Sequence, residues 1–236
     1  LESQGAKVHG ADPLPGLDSV LQIMADDGDP AAFRGVLDRH FGATDMLITD
    51  HLPTVPQVFV SDMDSTMIGQ ECIDELADFA GIKDQIAAIT ERAMQGELDF
   101  AEALTERVRL LGGLGEDAIQ QCLDERIRDM PGARILVATL KAHGCQTILV
   151  TGGFHQFADP VAERLGFERV VGNRLAVEHG KLTGGLTGDI VDSAVKKAVL
   201  RSAVEARDGA ASLATGDGAN DIPMLLAANY GVAYHA

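Results

Sequence analysis

Basic side chains are scarce in this sequence. Its 19 Lys and Arg stand against 36 Asp and Glu, a formal net charge of −17, which argues against binding a nucleic-acid backbone or an anionic membrane by bulk electrostatics. Cysteine is sparse too. Cys72, Cys122 and Cys145 are an odd, widely spaced set with no C-x-x-C pair, so they read as reduced packing residues, neither a disulfide framework nor a metal site. No stretch approaches the roughly 18 consecutive apolar residues that span a bilayer. The opening residues, from Leu1 to Gly5, carry neither a basic nor an apolar leader segment and no initiator Met, so they read as a fragment edge with nothing directing secretion. A cytoplasmic location is the corresponding expectation.

Apolar material is ample. Hydrophobic residues make up 46% of the 236 positions, enough for one sizeable core and a smaller second one. If the ligand is an anion, a metal or a few well-placed cations must reverse the sign of the field locally.

The pattern along the chain is organised around Val58-Phe59-Val60, apolar on consecutive positions as in a strand buried on both faces, running straight into Ser61-Asp62-Met63-Asp64-Ser65-Thr66. Upstream, residues 1 to about 18 read as a loose lead-in, and Leu21, Met24 and Ala25 suggest a short helix. Pro30 to His40 reads as another, with Asp29 as N-cap and Gly42 past its end, and Met46 to Thr49 as a strand. Downstream, apolar residues recur at helical spacing four times: Ile73 to Ala80, Ile86 to Ala93, Leu104 to Leu111 and Ile119 to Ile127. Strand and helix then alternate. Pro131 to Ala142 reads as a helix and Thr147 to Val150 as a strand ending in Thr151-Gly152-Gly153. A helix with Phe157, Val161 and Leu165 follows, then a hairpin turning at His179-Gly180, a helix from Ser193 to Ala206, and a strand from Ala211 to Thr215 ending in Gly216-Asp217-Gly218-Ala219-Asn220-Asp221.

This order predicts an α/β protein: a Rossmann-like parallel sheet with helices on both faces, interrupted by an inserted four-helix bundle. Residues 1–55 form a small appendage, 56–70 and 131–236 the core, and 71–130 the insert. Three strands end in polar clusters, and parallel strands put those ends on one edge of the sheet. Together the clusters supply carboxylates for a hard cation, a hydroxyl and glycine amides for phosphate oxygens, and a point charge from Lys196. That set suits phosphoryl transfer from a monoester onto a carboxylate, where positioning and charge neutralisation carry most of the catalysis. Taken singly, each cluster is equally an ordinary strand end, turn or N-cap, and on spacing alone Glu71 and Arg107 read as solvated helix charges and Met94 and Phe100 as core.

From Val58 to Val232 the residues resemble the haloacid dehalogenase superfamily and, within it, the phosphoserine phosphatase family. Asp62-Met63-Asp64-Ser65-Thr66 is similar to the nucleophile motif, Val150-Thr151-Gly152-Gly153-Phe154 to the phosphate-hydroxyl motif, Lys196 to the family lysine, and Gly216 to Asp221 to the acidic motif. The resemblance implies that Asp62 is the nucleophile, Asp64 the acid and base, and that Mg²⁺ is held by Asp62, the Asp64 carbonyl and Asp217, with Asp221 behind them. Thr151, Gly152 and Asn220 would contact the phosphate. It further implies an insert that acts as a cap, in which Glu71 meets an ammonium, Arg107 a carboxylate, and Met94 and Phe100 exclude water, with Gly69 and Pro131 as hinges. The implied activity is hydrolysis of a small-molecule substrate, O-phosphoserine, to serine, with no nucleic-acid or membrane partner and with monomer and homodimer both open. Transfer of the phosphoryl group to another alcohol, cleavage of another small phosphomonoester, and a non-catalytic phospho-ligand sensor are the alternatives. Two departures stand out. Thr151 replaces the usual serine, adding a methyl expected to crowd the leaving group, and the chain ends at Tyr234-His235-Ala236 where the family continues with another strand and helix.

Overall fold

The structure, a computed structural model, describes residues 1–2, 6–14, 17–26, 28–41 and 44–235. It divides into two compact units, Leu1–Thr54 and Val55–Ala236. In the first, β1 (Lys7–Leu14) and β2 (Leu17–Asp26) form an antiparallel pair, with Lys7 opposite Asp26 and Ala11 opposite Ile23. Within the expected lead-in Lys7–Leu14 is therefore strand, and so is the stretch expected as a short helix. Leu21, Met24 and Ala25 fit a helical spacing over too few residues to decide, and pairing with β1 overrides it. Helix α1 (Pro30–Phe41) begins as predicted, the Ala31 amide donating to Asp29 Oδ1 at 3.1 Å. Gly42 lies outside the described residues, and Met46 to Thr49 is not a strand.

The second unit is built on a five-stranded parallel sheet in the order β5-β4-β3-β8-β9. Its members are β3 (Val58–Ser61), β4 (Gln146–Phe154), β5 (Arg169–Asn173), β8 (Ser212–Gly216) and β9 (Tyr230–Ala233). The consecutive apolar run in β3 is explained by its central place. Val58 and Val60 pack with Val199 and Leu200 of α8 (Ser193–Glu205) on one face. Phe59 turns to the other, among residues of α6 (Ala133–Ala142) and α7 (His155–Leu165), its ring stacked 5.9 Å from Phe167. Helix α6 starts two residues later than Pro131 because Gly132 enters it with φ 88°. A separate hairpin of β6 (Leu175–Glu178) and β7 (Lys181–Leu186) turns at His179 and Gly180, both at positive φ (52° and 72°) as a two-residue type I′ turn requires.

Between β3 and α6 come four consecutive helices: α2 (Cys72–Phe79), α3 (Lys83–Met94), α4 (Phe100–Leu110) and α5 (Asp117–Glu125). Helix α2 packs on α3 and α5, and α3 on α4. Their inner residues Leu76, Leu104, Val108, Ile119 and Leu123 join the same apolar cluster as Phe59 and Leu149 of the sheet. A reciprocal capping box starts α4, Asp99 Oδ1 accepting from the Glu102 amide at 2.8 Å and Glu102 Oε2 from the Asp99 amide at 2.9 Å. The segments that lead into and out of these helices run side by side. Ile68 and Asp129 form an antiparallel bridge, flanked by Gly69 N to Arg128 O at 3.0 Å and Met130 N to Met67 O at 2.9 Å. Among the described residues no helix is long and apolar enough to cross a membrane.

Candidate functional site

Strand register brings the polar clusters to one edge. Ser61 pairs with Leu149 on one side and Thr215 on the other, so Asp62, Thr151 and Asp217 leave three adjacent strands within two residues of the same level. Hydroxyls tie the strand ends together. Thr215 Oγ1 donates to Ser61 Oγ at 2.8 Å, and Ser61 Oγ to the Asp62 carbonyl at 2.7 Å.

Asp62 is 5% exposed, with Oδ1 accepting from the Met63 amide at 2.8 Å and Oδ2 facing Lys196 Nζ at 2.8 Å. The same ammonium donates to Asp221 Oδ1 at 2.7 Å, and Asp221 Oδ2 accepts from the Gly218 amide at 3.2 Å. Glycine at 216 is obligatory for this closure, since a Cβ there would meet the Asp221 carboxyl carbon at 2.4 Å. Burial alone would discharge Lys196, but Asp62 and Asp221 more than reverse it and hold the ammonium charged. Burial pushes the Asp62 carboxyl well up against the pull of that ammonium, and Asp221 and Asp64 push it further.

Asp64 is oriented from a different element. Its Oδ1 accepts the Cys72 amide at the start of α2, 3.1 Å away, while Oδ2 lies against Gly153, where a Cβ would come within 2.7 Å. Burial raises its pKa despite the Cys72 hydrogen bonding, which suits a carboxyl that must carry a proton. The structure thus gives Cys72, legible only as a packing residue, a backbone role; all three cysteines are buried and free, as expected. Thr66 is a further residue that spacing does not reveal: its hydroxyl reaches across to Asp217 Oδ1 at 3.0 Å.

Side-chain oxygens of Asp62, Asp217 and Asp221 lie within 4.8 Å of one another. Four carboxylates, counting Asp64, surround one lysine, and this excess of negative charge on hard oxygen donors is the environment a hard divalent cation offsets. Asp221 therefore sits nearer the cluster than a purely supporting residue would, although both its oxygens are already engaged. Asn220 Oδ1 folds back over Gly218, where a Cβ would clash at 2.5 Å.

On β4, Thr151 is 1% exposed and its Oγ1 accepts the Gly153 amide at 2.8 Å, leaving the hydroxyl hydrogen free to donate. The extra methyl, expected to crowd a leaving group, is turned instead onto Gly172 of β5. Gly152 faces the Phe100 ring, which a Cβ at 152 would approach to 3.0 Å. Phe100 is partly buried on the core cluster, whereas Met94, at 85% exposed, is neither core nor in the crevice.

At the mouth of the crevice, Ser65 adopts φ 52° and donates its hydroxyl to Glu71 Oε1 at 2.6 Å. Desolvation first, then the nearby Asp64 charge, pushes the Glu71 carboxyl up to about 7, although its side chain reaches solvent. Arg107 on α4 donates from Nε to the Ala103 carbonyl at 3.3 Å and belongs to no ion pair among the described residues. Burial lowers its pKa, with Asp74 and Glu71 close enough to oppose the shift. A half-buried guanidinium left unpaired in so acidic a chain is available to a ligand carboxylate.

A profile of the haloacid dehalogenase-like hydrolases matches residues 59–226. Among curated proteins, the phosphoserine phosphatase of Albidiferax ferrireducens is 47% identical over 182 residues, covering 74% of this chain and 77% of that protein. The phosphoserine phosphatase of Archaeoglobus fulgidus is 42% identical over 183 residues, 76% of this chain, but the chain spans only 53% of that relative. Among solved structures, a phospho-aspartyl intermediate analogue of phosphoserine phosphatase superimposes with a TM-score of 0.70 at 34% identity, covering 78% of this chain and 88% of that one. A substrate-bound phosphoserine phosphatase complex does so with 0.67 at 33% identity, covering 75% and 84%.

Proposed function

Because the chain belongs to the haloacid dehalogenase-like hydrolases, and is accordingly a phosphomonoester hydrolase, we propose that it hydrolyses O-phosphoserine to serine and phosphate through an aspartyl-phosphate on Asp62. The observation that carries this reading is the buried lysine between Asp62 and Asp221, with Asp217 beside them at the ends of neighbouring strands. Solved relatives bearing the names of a phospho-aspartyl analogue and a substrate complex support it.

In the proposed reaction a carboxylate oxygen of Asp62, aimed by the Met63 amide and by Lys196, attacks phosphorus as the ester oxygen leaves. Asp64 Oδ2 delivers its proton to that oxygen, then takes one from the water that hydrolyses the aspartyl-phosphate. The Thr151 hydroxyl, the Gly152 amide and Asn220 hold the phosphate oxygens. Asp62, the Asp64 carbonyl and Asp217 would hold Mg²⁺, with Asp221 behind these residues, and the ion would supply the positive charge that lets an anionic nucleophile approach an anionic ester. Residues 71–130 act as a cap over the core of 56–70 and 131–236, hinged at Gly69 and Pro131. Phe100 and, on closure, Met94 exclude water. Glu71 receives the ammonium and Arg107 the carboxylate of the amino acid.

The test is phosphate release from O-phosphoserine against a panel of other small phosphomonoesters, with Mg²⁺ and with EDTA. O-phosphoserine is expected to be the preferred ester and EDTA to abolish turnover. Arg107→Ala is expected to raise KM for O-phosphoserine by roughly 10²-fold, the scale of one lost charge-assisted contact, and to leave esters without a carboxylate within about twofold. Unchanged selectivity would remove Arg107 from the recognition set.

Glu71 gives a pH signature. Its folded pKa of about 7 lies above the ordinary glutamate value, so the folded protein keeps the proton longer and the ammonium-binding carboxylate appears only as pH rises through about 7. In a stability measurement the same shift costs the fold as pH climbs from the ordinary value toward 7. Accordingly kcat/KM for O-phosphoserine is expected to rise between about pH 6 and 8, with Glu71→Gln flattening that limb. A limb that survives in Glu71→Gln belongs to another group.

A further inference from the structure

Between Val150, which pairs with Val171, and Phe154, which pairs with Asn173, β4 has three residues where β5 has one. Thr151, Gly152 and Gly153 therefore bulge out of the ladder opposite Gly172, and a bulge of this kind re-aims side chains and amides. The bulge is braced from β5 in two ways. A Cβ built on Gly172 would stand 3.2 Å from Thr151 Cγ2, tighter than ordinary contact, and 3.5 Å from the Gly153 carbonyl oxygen. The next residue, Asn173, is 2% exposed. Its Nδ2 donates to the Gly152 carbonyl at 2.7 Å and its Oδ1 accepts the Val191 amide at 2.9 Å, linking the bulge to the segment that leads into α8 and Lys196.

We propose that Gly172 and Asn173 are positioning residues for the phosphate-binding bulge, Gly172 by leaving the space that seats the Thr151 methyl and Asn173 by fixing the Gly152 peptide. This deepens the assignment of Thr151 and Gly152 to the phosphate and rests on it. Threonine has a stiff χ1, so seating its methyl sets the direction of its hydroxyl. The backbone at Gly172 is not in the left-handed region, hence alanine there acts through space alone.

The experiment is a double-mutant cycle read by calorimetric binding of inorganic phosphate in the presence of Mg²⁺ and by kcat/KM, with melting temperature as the folding control. Gly172→Ala is expected to weaken phosphate binding and lower kcat/KM about tenfold, the scale of a sub-ångström misplacement of a binding group. In a T151S background, which lacks the methyl, the same Gly172→Ala change is expected to cost less than twofold. Asn173→Asp, isosteric but without the donor to Gly152, is expected to reproduce the loss. Equal losses from Gly172→Ala in both backgrounds, or an Asn173→Asp protein that binds phosphate normally, would overturn the inference. Should Gly172→Ala fail to fold, recovery of a folded, phosphate-binding protein by T151S is the expected result and failure to recover overturns it. Phosphate binding is independent of which ester is cleaved, so a parent protein inactive on O-phosphoserine refutes the functional reading while the cycle still decides the role of β5.

Discussion

Asp62→Asn is expected to lower kcat for O-phosphoserine by at least about 10³-fold, because an amide cannot form the acyl-phosphate that divides the reaction into two steps. The substitution keeps shape, and Lys196 retains Asp221 Oδ1 at 2.7 Å as a partner, so the loss reports chemistry and not collapse. Borohydride treatment during steady-state turnover should reduce the acyl-phosphate of the parent to an alcohol at position 62, found by peptide mass spectrometry. The same treatment of Asp62→Asn should find nothing. Turnover surviving in the variant, or a trapped product on another carboxylate, would end the covalent role of Asp62.

The second large effect is on stability. Lys196 is 1% exposed and meets Asp62 and Asp221, themselves almost wholly buried, at 2.8 and 2.7 Å. Lys196→Met leaves two carboxylates in the interior without a counter-charge, and breaking a buried pair from one side costs about 3–5 kcal/mol, or roughly 10 °C in melting temperature for a unit of this size. The sign with pH follows from the shifts. The lysine's folded pKa is raised, so its contribution in the parent is complete at all pH values below the ordinary lysine range and is lost only as pH climbs through the folded pKa. In the variant, acid neutralises the stranded carboxylates, and burial already holds the Asp62 carboxyl well above its ordinary range, so the deficit should narrow as pH falls. Urea denaturation of both proteins from acid to neutral pH measures this. A deficit independent of pH would mean that lost packing, not charge, is responsible.

The site was legible in the sequence where chemistry sits at the end of a locally recognisable element. Val58 to Val60 announce a strand by composition alone, and the four helices after it by their spacing, so Asp62, Asp64 and Asp217 could be placed on one edge before any coordinates. What was not legible depends on pairing partners and not on the residues' own pattern. Strand β1 carries Gly10 and Pro13, residues that normally interrupt strands, and only its pairing with β2 makes it one. Strand β5 is a short run whose significance comes from β4, so nothing marks Asn173 as the residue that grips Gly152. The Thr66 hydroxyl on Asp217 spans 151 positions of sequence, beyond the reach of any periodicity. The seat of the Thr151 methyl is hidden in the sequence for the same reason: the space that receives it belongs to Gly172, on another strand.

The bridge between Ile68 and Asp129 bears on how this architecture can vary. It brings the two ends of the helical segment to adjacent places, so the sheet needs no more than a hairpin closure there, and the entropy of closing a loop grows only slowly with its length. The stretch carrying Glu71 and Arg107 thus joins the sheet at a single seam. If Glu71 and Arg107 recognise the amino acid as proposed, transplanting that stretch is expected to change selectivity for the alcohol while the strand ends around Asp62 stay as they are.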